Sequence, residues 1–127
     1  MWSIALVLSF MLHSGSDVYV VTNSRAHLSM ADVHELFIGE KEFSGSLRLT
    51  PIDNAAVQPL FVAKALGMTP KRYETLWVKK TFRDALTPPP RVASDADVLA
   101  FVERTPGAVG YVSAPPASAA VTIVGKF

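Results

Sequence analysis

The sequence predicts a single α/β lobe, a mixed sheet with flanking helices, on three observations. β-branched runs at residues 17–23 (DVYVVTN) and 120–124 (AVTIV) have the composition of strands, the first of them covered on both faces. Several stretches between them carry apolar residues at helical spacing. The resulting order, β-α-β-α-α-α-β-β, favours a mixed sheet with helices on its faces. At 127 residues and 50% hydrophobic composition the chain supports one core.

Charge and cysteine content exclude several function classes. Twelve Lys plus Arg against 11 Asp plus Glu give a net charge of +1, which offers no global field for nucleic acid. The absence of Cys excludes a disulfide scaffold, a zinc finger, an iron–sulfur site and a thiol nucleophile.

Residues 4–12 (IALVLSFML) are too few to span a bilayer, and Ser14 and Ser16 follow as small residues. This pattern predicts a signal peptide at residues 1–16, cut ahead of Asp17, and hence a periplasmic or otherwise exported domain at residues 17–127. The n-region lacks Lys and Arg, so a buried first element of the domain is the competing reading. Membrane contact is expected only through an uncleaved amino terminus.

After the first strand, Ser29 caps a helix whose Met30, Val33 and Phe37 share one face, and Gly39 stops it. Residues 47–53 (LRLTPID) alternate as a second strand, with Pro51 placing it at an edge or an end. A helix then runs to about Leu66 and ends at Gly67. Thr69-Pro70 opens the next helix as N-cap and N1 proline. That helix carries Tyr73, Leu76, Trp77 and Lys80 at i, i+3, i+4 and i+7, a stripe that reads as core rather than as ligand stackers. Its Lys71, Arg72, Lys79, Lys80 and Arg83 form a solvated face or, alternatively, a docking surface for an acidic partner. Residues 87–90 (TPPP) are a stiff connection, and Ser94 with Asp97 starts a fourth helix that ends before Pro106-Gly107. Strands at residues 108–113 and 120–124 close the chain.

Several pieces share an order and spacing with a known family. They are Val20-Val21-Thr22-Asn23, then Leu28-Ser29 with Phe37, Gly39 and Lys41, then Leu49-Thr50-Pro51-Ile52-Asp53. Phe61, Leu66-Gly67-Met68, Trp77 with Phe82, Pro88-Pro89-Pro90-Arg91 and Pro106-Gly107-Ala108-Val109-Gly110-Tyr111-Val112 follow. Over residues 20–112 the chain resembles the phosphate-type periplasmic substrate-binding proteins of ABC transporters, in particular small proteins related to one lobe of them. The resemblance implies one half of a type II periplasmic binding protein, whose two lobes close on an oxyanion held at helix amino termini. Where those phosphate binders carry a Gly-Ser-Gly-Thr-like turn, this chain has Asn54-Ala55-Ala56-Val57-Gln58-Pro59, without glycine or hydroxyl.

Ligands of such sheets sit beyond strand ends, beside helix starts, so the candidate ligand-binding residues are Asn23 and Ser24 after the first strand and Asp53, Asn54 and Gln58 after the second. Asp53 either accepts a hydrogen bond from a protonated ligand or caps the following helix. Asn23 and Ser24 are also common turn residues. His27 and His34 lack metal-site spacing, and no serine-hydrolase elbow, P-loop or dinucleotide fingerprint occurs, so no metal, cofactor or enzymatic activity is expected. The sequence thus predicts non-catalytic recognition of phosphate or another small anionic solute. The alternative is an accessory module that keeps the fold, has lost the ligand, and works through an envelope protein partner or self-association.

Overall fold

The computed structural model describes residues 17–23 and 26–127. The predicted signal peptide therefore lies outside the described residues, as does Ser24. Among the described residues there are eight strands and four helices. The strands are β1 (Tyr19–Asn23), β2 (Phe43–Ser44), β3 (Leu47–Arg48), β4 (Thr50–Pro51), β5 (Asp53–Asn54), β6 (Arg91–Val92), β7 (Ala108–Val112) and β8 (Val121–Lys126). The helices are α1 (Met30–Phe37), α2 (Gln58–Leu66), α3 (Pro70–Asp84) and α4 (Asp95–Arg104).

The main sheet has the order β4-β7-β1-β8. β1 runs antiparallel to both β7 and β8, while β4 runs parallel to β7, so the sheet is mixed. Side chains alternate faces along each strand. Val20, Val109 and Tyr111 point into one buried cluster, and Val21, Ala108 and Val112 into another on the opposite face. α1, α2 and α3 cover the first through Phe37, Phe61, Tyr73 and Trp77, whereas α4 covers the second through Val98 and Val102. Double coverage explains why β1 and β7 read as nearly continuous apolar runs.

Residues 47–53, one strand by periodicity, divide into three. Their backbone N–H groups alternate sides: Thr50 and Ile52 donate to Gly107 and Val109 along β7, whereas Leu49 donates to Glu42 and Asp53 to Pro90. Pro51, which has no N–H, falls on the side facing away from β7, so the sheet loses no bond. Two short ladders result. β2 and β3 form a hairpin, and β5 pairs in parallel with β6 directly after the proline run.

Helix starts follow the local chemistry. Ser29 and Asp32 form a reciprocal capping box on α1, Thr69 accepts from the Arg72 amide at the start of α3, and Ser94 accepts from the Asp97 amide on α4. α2 is the exception. Its N-cap is Val57, which supplies no side-chain bond, so Asp53 does not cap it.

The faces lock through aromatic contacts. The Phe61 and Tyr111 rings stack at 3.9 Å, with Phe37 edge-on to Phe61 at 4.9 Å. Trp77 Nε1 donates to the Phe37 carbonyl at 3.0 Å, fixing α3 against α1.

Candidate functional site

Asp53 and Arg91 are opposite each other in the parallel β5/β6 ladder, and both border a cavity of about 550 Å³. Gln58 and Pro59 bring the amino end of α2 to the same cavity, and α3 supplies a wall of Tyr73, Trp77 and Phe82. The prolines at 88 and 89 close one side. Charge, amide and aromatic groups thus converge where an uncapped helix starts, a place suited to anionic groups.

The Asp53 carboxylate is only 3% exposed. Tyr111 donates its hydroxyl to Oδ1 at 2.8 Å, and Tyr73 donates to Oδ2 at 2.9 Å. Tyr111 comes from near the carboxyl end of β7 and Tyr73 from the first turn of α3, so this one side chain joins two elements to β5. Burial pushes the Asp53 carboxyl above its usual range, against the opposing pull of the two hydroxyls, Arg91 and Gln58. Burial, together with the neighbouring Asp53 charge, pushes both tyrosines up as well, so their hydroxyls stay protonated donors.

The structure does not assemble all the sequence candidates. β1 is antiparallel to β7, with Thr22 opposite Val109 and Tyr19 opposite Val112, while Asp53 is bonded to Tyr111. The end of β1 and the end of β5 therefore lie toward opposite ends of β7, and the structure does not bring Asn23 together with Asp53. Asn23 instead donates to the carbonyls of Val102 and Glu103 at 3.0 and 3.3 Å, at the carboxyl end of α4. Asn54 is fully buried: its Nδ2 donates to Asp95 Oδ1 at 2.8 Å and to the Tyr111 carbonyl at 3.0 Å, and its Oδ1 accepts from the Ala56 amide. Its side chain orders the turn after β5 and does not line the cavity. Of the candidates among the described residues, Asp53 and Gln58 alone line the cavity.

Tyr73, Tyr111 and Arg91 escape sequence reasoning as members of the site. A signal was present, because a buried tyrosine hydroxyl requires a partner and Asp53 is the one acid in the second strand. Among the described residues no group of three His, Asp or Glu side chains is arranged to hold a metal.

A mixed sheet covered by three helices on one face and one on the other, with a strand-end cavity beside a helix start, has the fold of one lobe of a periplasmic binding protein. The chain is similar to a solved structure described as an ABC-type phosphate transport receptor from Vibrio cholerae, with 16% identity and a TM-score of 0.58. The match covers 84% of this chain and 44% of the receptor, so the chain spans less than half of that protein's length. No family model and no curated protein matches the chain.

Proposed function

We propose that the chain is an exported, non-catalytic recognition domain that takes a small anionic solute, phosphate among them, in the Asp53 cavity. The observation that carries this reading is the convergence of Asp53, Arg91 and Gln58 at the uncapped amino end of α2. Arg91 supplies the positive charge, and the Gln58 and Leu60 amides of the first turn supply donors, Pro59 having no N–H. Asp53 accepts from a ligand that still carries a proton and repels one that is fully ionised. The binding-protein fold supports the same reading, and the Vibrio cholerae receptor is described as a phosphate transport receptor.

Thermal-shift titration with phosphate, sulfate, molybdate and organic anions tests it. Binding to the native state raises stability as RT ln(1 + [L]/Kd), about 2.7 kcal/mol at a hundredfold excess over Kd. The expected result is a concentration-dependent rise for at least one anion that Arg91→Ala abolishes. A flat response to the whole panel would overturn the proposal.

One observation favours a second reading. The turn at residues 54–59 has no glycine or hydroxyl, and the Asn54 side chain is wholly engaged in internal bonds. This suits an accessory module without a ligand, for which crosslinking in the envelope recovers a partner or light scattering reports self-association.

A further inference from the structure

The cations of this chain are concentrated on one helix. Five of its 12 Lys and Arg residues lie between positions 71 and 83, although the whole chain carries only +1. α3 turns Tyr73 and Trp77 inward, which sends the opposite face to solvent. Lys71, Thr75, Val78 and Phe82 follow at i, i+4, i+7 and i+11, forming one exposed stripe. Arg72, Lys79 and Arg83 line the stripe beside it and are exposed too. Lys80 is not part of this face, because it reaches Glu40 at 3.2 Å. Glu74 is exposed as well and flanks this face on the side of the Asp53 cavity, which Val78 and Phe82 also border.

Two large apolar side chains stand among those cations: Phe82 is 85% exposed and Val78 is 50% exposed. An exposed phenylalanine costs free energy in water and adds nothing to the attraction of a free anion. It does contribute where a convex helix meets a bilayer. There an aromatic ring enters the boundary between headgroups and acyl chains, while flanking Lys and Arg meet anionic phosphates.

We propose that the outward face of α3 is a docking surface for an anionic lipid bilayer. Lys71, Arg72, Lys79 and Arg83 contact the headgroup phosphates, and Phe82, supported by Val78, enters the interface. Val78 and Phe82 also border the Asp53 cavity, so this contact adjoins the proposed solute site. It is distinct from the apolar segment at residues 4–12, which the sequence alone would favour for membrane contact. It lays the domain flat on the membrane along one helix.

Flotation of the full chain with vesicles tests the proposal. Vesicles of phosphatidylcholine alone are compared with vesicles containing phosphatidylglycerol, at low and at high salt. The expected result is binding to the anionic vesicles only, lost at high salt as the charges are screened. Lys79→Gln and Arg83→Gln each weaken that binding about fivefold, and the double variant weakens it roughly 30-fold. Phe82→Ser weakens it with no change in charge. All three residues are exposed, and an unchanged circular dichroism spectrum verifies that the variants fold. Absence of binding to the anionic vesicles overturns the proposal and leaves the basic face to an acidic protein. Equal binding to phosphatidylcholine overturns it as well, and so do variants that bind as tightly as the parent chain, since the amino-terminal segment would then make the contact.

Discussion

Replacing Tyr111 by Phe removes one oxygen from the core and tests the electrostatics of the site. The ring stacked on Phe61 at 3.9 Å is retained, so packing changes little, while Asp53 Oδ1 loses a donor at 2.8 Å. A hydrogen bond to a charged group contributes about 1.5–3 kcal/mol, and a neutral one roughly 1 kcal/mol. The loss therefore depends on the protonation state of Asp53. Burial raises this carboxyl in the folded protein above its value of 3.8 in the unfolded chain. Between those two values the native state binds more protons than the unfolded state, so stability falls as pH rises through that window. Below the unfolded value both states are protonated and the cost disappears. Tyr111→Phe withdraws a bond that favours the charged form, raising the folded value further and enlarging the cost at neutral pH. Urea denaturation should show a loss of about 2–3 kcal/mol at pH 7 and only about 1 kcal/mol at pH 3.5. Asp53→Asn, which cannot ionise, should flatten the pH dependence. An equal loss from Tyr111→Phe at both pH values would refute the reasoning, since it would mean that the hydroxyl does not stabilise an ionised carboxylate.

Asn54→Ala removes two donated bonds and one accepted bond at a fully buried position, and should cost about 3 kcal/mol in the same denaturation assay. Gly107 has φ +83°, and a Cβ there would meet the Arg48 carbonyl oxygen. Gly107→Ala should therefore cost at least about 2 kcal/mol and lower Tm by several degrees. Ala85 ends α3 with φ 55°, the left-handed region. Ala85→Gly relieves that strain at the expense of unfolded-state entropy, so a net gain of about 0.5–1 kcal/mol should appear as a higher Tm in calorimetry.

Local capping and strand composition were legible in the sequence, whereas long-range pairing was not. The helix starts at Ser29, Thr69 and Ser94 were legible because capping is local chemistry, and the double burial of β1 because it leaves a run of β-branched residues. The division of residues 47–53 into three strands was not legible, since the N–H groups of Thr50, Ile52 and Asp53 meet Gly107, Val109 and Pro90, which are distant in sequence. The same limit governed the site. Asp53 looked like a cap because caps are local, yet its partners are 20 and 58 residues distant. Asn23 and Asp53 seemed to belong together because each follows a strand. The antiparallel register of β1 against β7, which strand composition does not encode, puts them at opposite ends.

The bond pair from Tyr73 and Tyr111 to Asp53 also bears on what one lobe can do. In the two-lobed pattern that this chain resembles, the ligand is enclosed by closure of a second wall. Here the cavity floor joins β5, β7 and α3 through one buried carboxylate, and Trp77 ties α3 to α1 through the Phe37 carbonyl. A floor fixed by four elements needs little further ordering, so under the proposed function little conformational cost would oppose a ligand. Against that gain, a cavity with one open side would leave part of a bound anion hydrated. Under the proposed function, discrimination would then rest on charge and protonation at Asp53 and Arg91 rather than on enclosure.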